Sequence, residues 1–322
     1  MNLNQNTARV IDPVLTGIAQ GYRHVQRVGH LLFPSVDVQH RGGTIIEFGR
    51  ESFRDYKARR APGADTRMIQ FGYEGKPFAL HQYSLDVPLP RELMDEASKV
   101  PGIDPGKRAV NTAMDSLTLS LEIEQANIAT NPDNYGDSNK RNLSSAESWN
   151  VANSDPVADI EDAKDQVRRS CGVEPNRLVL NSGGFRALKR HPKIVERFKY
   201  TTADSITAKM LAGLFDLEEV AVGKATYVDG VEDDAPFLEA WGNAAVLAYV
   251  PTQDAALEQP SFAYTYTLKG HPFVEQPRYD GSKKSWLYGV TYERLPVLTG
   301  VASGFLFTNI VGEVEDEGEV EE

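Results

Sequence analysis

The chain has 322 residues, 41% apolar and 25% charged, ordinary globular values that allow two compact domains and point away from general disorder or a membrane protein. Its net charge of −12 argues against a main task of gripping nucleic acid through a basic surface. A single cysteine, Cys171, excludes an internal disulfide framework and a multi-cysteine zinc site, leaving helix packing as its role.

The N-terminus, MNLNQNTARVID, lacks an apolar signal core, and the longest apolar run, Ala244 to Val250, is too short to span a bilayer. Synthesis and folding in the cytoplasm are therefore expected. Residues 1–35 hold helical fragments such as Val14 to Tyr22 but no pattern that closes a core, so they read as an arm. Alternation begins at Val36-x-Val38, is interrupted by Gly42-Gly43 and resumes from Thr44 to Phe48. Arg50 to Thr66 has few apolar anchors and contains Pro62-Gly63, which suggests the tip of a long hairpin returning through Met68 to Tyr73 and Phe78 to Val87. Between Arg41 and Arg67 seven bases face four acids. A long, charged, two-stranded hairpin needs something to lie on.

Asp104 as N-cap and Pro105 at the first helical position open one long helix that Asn131-Pro132 closes. Val110, Met114, Leu117, Leu121 and Ile128 recur on one face, with Glu124 interrupting the stripe. Residues 131–150 read as a polar linker. Ser154-Asp155-Pro156 caps a helix that ends at Cys171-Gly172, followed by a strand at Arg177 to Leu180 and a helix through Phe185 and Leu188. A further helix spans Ser205 to Phe215, before strands at 219–222, 225–228 and 244–250, giving an α/β unit of about a hundred residues. Beyond Pro260, Phe262-x-Tyr264-x-Tyr266, Phe273-Val274 and Trp286-x-Tyr288-x-Val290-x-Tyr292 are β segments expected to pack on the long helix. The last ten residues, EVEDEGEVEE, carry seven acids and no base, the composition of a solvated, disordered tail.

No catalytic, cofactor or metal site declares itself. Asn181-Ser182-Gly183-Gly184 lies between strand and helix but lacks the phosphate-loop Lys-Ser/Thr, and Leu180 stands where a nucleophile elbow needs glycine; a helix cap is the expectation. Asp229 to Asp234 resembles a calcium loop in composition but not in spacing. His191-Pro192 ends a helix. Glu122 and Glu124 are two apart on a helix and point to different faces.

Taken in order, Asp12-Pro13-Val14-Leu15-Thr16 with Gly21-Tyr22, Leu32-Phe33-Pro34-x-Val36-x-Val38, Ser154-Asp155-Pro156-x-x-Asp159-Ile160, Pro175-Asn176-x-Leu178-Val179-Leu180, Leu188-x-x-His191-Pro192-x-Ile194 and Trp241-Gly242 resemble the major capsid proteins of tailed bacteriophages with the Hong Kong 97 fold. The resemblance implies an α+β chain of four parts: an N-terminal arm (1–35), an extended E-loop hairpin (36–88), a peripheral domain (89–150 and 258–312) built on the spine helix 105–130, and an axial domain (151–257), followed by the acidic tail (313–322). It implies a structural protein, not an enzyme, without cofactors. Such a protein forms hexamers and pentamers of an icosahedral virion shell around double-stranded DNA and is assembled in the host bacterial cytoplasm. Some relatives begin with a scaffolding segment, whereas here the arm starts at Met1, so a separate scaffolding protein is expected, with a portal and, optionally, a decoration protein as further partners and no membrane. An encapsulin-like nanocompartment shell, or a cytoplasmic α+β enzyme without a readable motif, are the alternatives. At the hairpin, Arg50, Arg54, Lys57, Arg59 and Arg60 are candidate intersubunit contacts, with Glu122 and Glu124 of the spine helix as first acceptors on the adjacent subunit; packaged DNA is the competing partner for the basic tip.

Overall fold

The computed structural model describes residues 11–45, 59, 75–97, 104–199, 205–230, 234–251 and 261–312. In chain order these form α1 (Pro13–Gln20), α2 (Gly29–Leu32), β1 (Ser35–Val38), β2 (Gly42–Thr44), β3 (Pro77–Ala79), β4 (His81–Pro90), α3 (Arg91–Ala97) and the spine helix α4 (Pro105–Thr130). Then come β5 (Lys140–Asn142), α5 (Pro156–Cys171), β6 (Arg177–Asn181), α6 (Ser182–Arg190), α7 (Pro192–Arg197), α8 (Ala208–Leu214), β7 (Glu219–Gly223), β8 (Thr226–Val228), β9 (Phe237–Glu239) and β10 (Ala244–Ala248). The chain closes with β11 (Ala263–Leu268), β12 (Phe273–Val274), β13 (Arg278–Asp280), β14 (Ser285–Leu298) and β15 (Gly304–Thr308).

The spine helix has the bounds its breakers dictate. The Asp104 side chain accepts from Lys107 N, and 26 residues give a rod of roughly 39 Å. Its buried face is not one continuous stripe, however. The first half buries Ala109, Val110, Ala113, Met114 and Leu117, whereas the second buries Glu122, Gln125, Ala126 and Ala129. At 100° per residue these faces lie roughly 130° apart. The cause is tertiary, because the two halves serve different cores. The first packs with α1, β4 and β14. The second, through Ala126 and Ala129, packs on one face of the axial sheet with Val28, Leu32, Phe33 and Trp241.

That five-stranded sheet runs β5-β15-β10-β6-β7. Its opposite face, with Leu178, Leu180, Ala245, Leu247, Phe305 and Phe307, lies under α5, α6, α7 and α8. Asp155 caps α5 through Ala158 N, and Gly172 closes it in the left-handed region at φ 81°. Asn181 caps α6 through Gly184 N at 2.8 Å, a structural role. Two assignments change here. Residues 131–150 are not a linker, since β5 is the sheet's edge strand and Trp149 is fully buried. β15, expected in the peripheral part, is also an axial strand, because Phe305 and Phe307 serve one core and Leu306 the other.

The second sheet is built on β14. One edge carries β4 from Ser285 to Arg294, and the other takes β13, β12 and β11 in turn, with β1 parallel to β11 beyond. The break in alternation falls at residues 39–41 and not at Gly42-Gly43, which belongs to the hairpin's base, where Gly42–Thr44 pairs antiparallel with Pro77–Ala79. Most of the hairpin, the loop 231–233 and the tail 313–322 lie outside the described residues.

Candidate assembly surfaces and the junction beneath them

The rotated face of the spine helix turns Glu122 inward, where it is 2% exposed. Its carboxylate accepts from Val28 N at 3.0 Å, Gly29 N at 2.8 Å and the Trp241 indole N–H at 2.7 Å. No cation among the described residues lies within ion-pair distance of it, and burial pushes the adjoining His30 down, towards its neutral form. Three N–H groups therefore carry the solvation of this buried charge. They come from the arm and the axial unit, so one side chain of the spine joins both. Gly29 is required by close approach, because a Cβ there would stand 2.1 Å from Gln125 Oε1 and 2.8 Å from Glu122 Oε2. Gln125 continues the junction by donating to Thr265 Oγ1 at 2.9 Å, and that hydroxyl donates to Phe33 O. Arg177 donates to Leu31 O at 2.7 Å.

The arm is thus pinned to its own subunit, contrary to the expectation that it lacks an internal core. Leu15 and Ala19 of α1 are buried against the spine helix, Asp12 N donates to Val274 O, and Arg27 pairs with Asp115 at 3.1 Å.

At the hairpin root, Arg294 is fully buried and pairs with Glu124 at 2.8 Å, donates to Leu117 O and stacks over Tyr83 at 4.2 Å. Next to it, Arg41 makes two hydrogen bonds to the buried Glu293, at 2.7 and 2.9 Å, and these hold that carboxyl below the usual glutamate range. Glu122 therefore does not stand open to a neighbour's hairpin, and Glu124, 29% exposed, is already paired within its own subunit. Glu122 is interior, and Glu124 is claimed by Arg294, so both are withdrawn as first acceptors. Of the basic tip residues only Arg59 is described, and it is exposed; Arg50, Arg54, Lys57 and Arg60 lie outside the described residues.

Sequence reasoning missed another surface. The ribbon β8–β9 is a two-stranded antiparallel pair, and on it Phe237 is 77% exposed, beside Val228 and Leu238. No periodicity marks Phe237, which follows an acidic loop, and only the fold reveals that it is left in water.

Residues 128–282 match the family described as Phage major capsid protein E. The major capsid protein of Burkholderia phage BcepMu is 37% identical over 310 residues, covering 94% of this chain and 98% of that one. The chain belongs to the phage major capsid proteins. A phage-related protein from Bordetella bronchiseptica RB50 is 43% identical, with a TM-score of 0.83 over 94% of this capsid protein and 98% of that chain. The capsid structure of cyanophage P-SCSP1u, at 9% identity and a TM-score of 0.54 over 86% of each chain, shows the shared Hong Kong 97-like fold alone. Trp241, in one of the motifs that together carry the resemblance, donates to Glu122, which gives that residue a physical role in this chain.

Proposed function

We propose that this capsid protein assembles into hexamers and pentamers of an icosahedral shell that encloses double-stranded DNA. The observation that carries the reading is the pair of two-stranded ribbons, β2–β3 and β8–β9, that leave the two sheets and have no third strand among the described residues. Two-stranded ribbons are marginal in water alone, and Phe237 at 77% exposure is the kind of side chain a neighbour buries. Repeated around a ring, such contacts multiply into a closed assembly.

Within that assembly the basic hairpin residues Arg50, Arg54, Lys57, Arg59 and Arg60 dock on acidic surface of the adjacent subunit, other than Glu122 and Glu124. The protein's role is structural, not enzymatic. Its partners are a scaffolding protein and a portal, with a decoration protein as an optional addition. No helix among the described residues is long and apolar enough to cross a membrane.

Electron microscopy of the purified chain tests the reading, with light scattering across concentrations. Rings or shells are expected, and a compact 36 kDa monomer at every concentration would overturn it. Arg59→Glu with Arg60→Glu separates the hairpin partners. Loss or salt sensitivity of empty shells supports docking, and normal empty shells that fail to fill with DNA support a DNA contact.

A further inference from the structure

The helices α6 and α7 carry a charge pattern that the fold does not use. Arg186, Lys189, Arg190, Lys193, Arg197 and Lys199 fall within fourteen residues that contain one acid, Glu196, in a chain of net charge −12. All six are exposed except Lys189, which is half-buried. Among the described residues only Lys193 has a carboxylate partner, Asp155 at 2.9 Å. A basic face left open in an acidic protein calls for a polyanion.

The path of the chain supplies one. Its last described residues are clamped one by one. Asn243 donates to Val311 O at 2.7 Å and accepts from Val311 N at 3.0 Å, and Asn150 does the same for Gly312 at 3.1 and 2.9 Å. Ile310 and Val311 lie against the first turn of α6, where a Cβ on Gly184 would stand 2.4 Å from Ile310 Cδ1 and one on Gly183 3.5 Å from Val311 Cγ2. The residue after Asn150, Val151, has its carbonyl 3.1 Å from His191 Nε2, between α6 and α7. The chain therefore leaves Gly312 at the edge of the basic face, and the next ten residues carry seven carboxylates.

We propose that the acidic segment Glu313–Glu322 binds the α6–α7 face of its own subunit and shields it from nucleic acid. Ten extended residues reach up to ~33 Å, whereas α6 and α7 are ~14 Å and ~9 Å long, ~23 Å even if laid end to end, so the face is in range. A tether this short gives an effective concentration of about millimolar, enough for a many-charge contact that would be weak between separate molecules. Opposite charges on this scale need no fixed fold, and the contact weakens with salt. The proposal does not depend on shell formation, because it is read on capsomers and dissociated subunits alike.

Two measurements on the full-length chain test it. Carbodiimide coupling at low salt, mapped by mass spectrometry, is expected to join tail carboxylates to Lys189, Lys193 and Lys199, and to lose these links at high salt. Links to lysines elsewhere, or none, would overturn the proposal. Second, a variant with the tail's Glu and Asp changed to Gln and Asn keeps the length and removes the charge. It is expected to bind a labelled 20-base-pair duplex about tenfold more tightly than the native chain at 50 mM salt, with the gain abolished by Arg190→Glu and Arg197→Glu. Equal duplex binding by native and neutral-tail chains would mean that the face is open to DNA and the tail does not cover it.

Discussion

Replacing Glu122 by glutamine keeps the side-chain volume and changes one atom that faces a donor. Oε1 accepts from both Val28 N and the Trp241 indole, whereas Oε2 accepts from Gly29 N at 2.8 Å. In the variant either Gly29 N–H faces an amide NH2 or the amide flips and strands the other two donors. A buried donor without an acceptor costs about 1–3 kcal/mol, and the remaining bonds lose their charged acceptor. Glu122→Gln is therefore expected to destabilise the subunit by ~2–4 kcal/mol, a sizeable share of a typical total. Trp241→Phe removes one donor and leaves a cavity where the buried indole ring stood, and should cost about 2–4 kcal/mol. Because the two side chains touch, the double variant should lose less than the sum. Urea midpoints of dissociated subunits at constant slope give the energies, and hydrogen exchange at Val28 and Gly29 reports the junction itself. Unchanged protection of those two amides in Glu122→Gln, with a shift under about 0.5 kcal/mol, would refute the view that this carboxylate ties arm, spine and axial unit together.

Arg41 holds Glu293 below the ordinary glutamate value of 4.5, so the pair's stability is complete above that pH and is lost as pH falls through the lower, folded value. Exchange protection of β2 and β3 should therefore drop in acid, and Arg41→Ala should abolish that step; an identical step in the variant would contradict it. Burial pushes the Cys171 thiol up, and its side chain packs beside the core beneath α5, so alkylation should be slow in the native chain and fast after unfolding. Equal rates in both states would show that the thiol is open. Phe237→Asp should leave subunit stability within about 0.5 kcal/mol. If a neighbour buries the ring, the loss of ~1.5–3 kcal/mol per contact raises the concentration needed for assembly by roughly 10–100-fold, and an unchanged threshold would remove β8–β9 from the interface.

The helices were legible where capping chemistry is local. Asp104-Pro105 with Asn131-Pro132, and Asp155-Pro156 with Gly172, place the ends of α4 and α5 without reference to any other segment. The face of α4 was not legible beyond Leu117, because its direction is set by which core lies alongside. Leu121 and Ile128 continue the stripe yet are only half-buried, whereas Glu122 is interior. One signal could have found it: Glu122, Gln125, Ala126 and Ala129 share a face at helical spacing, and a polar pair among small residues is what a close-packed, hydrogen-bonded crossing requires. Lys140–Asn142 could not be read as a strand from composition, since an edge strand is defined by the backbone it pairs with and not by apolar side chains.

The arm's attachment changes where the energy of assembly must come from. Leu15, Ala19, Leu32 and Phe33 already contribute to cores within the subunit, so on association this stretch of arm adds burial through its exposed side chains, Val14 and Val25, and not through these. The other contact surfaces proposed above are the hairpin and β8–β9, where Phe237 is exposed. These two are not independent, because Arg294 ties β4 and β14 to the spine at Leu117 and Glu124, and Glu122, between those positions, ties the same stretch to Trp241, two residues beyond β9. A displacement of the hairpin root is expected to reach the axial ribbon through this one stretch of helix. Neighbour contacts at the two ends should then be coupled, and Glu122→Gln, which touches neither surface, should weaken the dependence of one on the other while leaving each surface chemically intact.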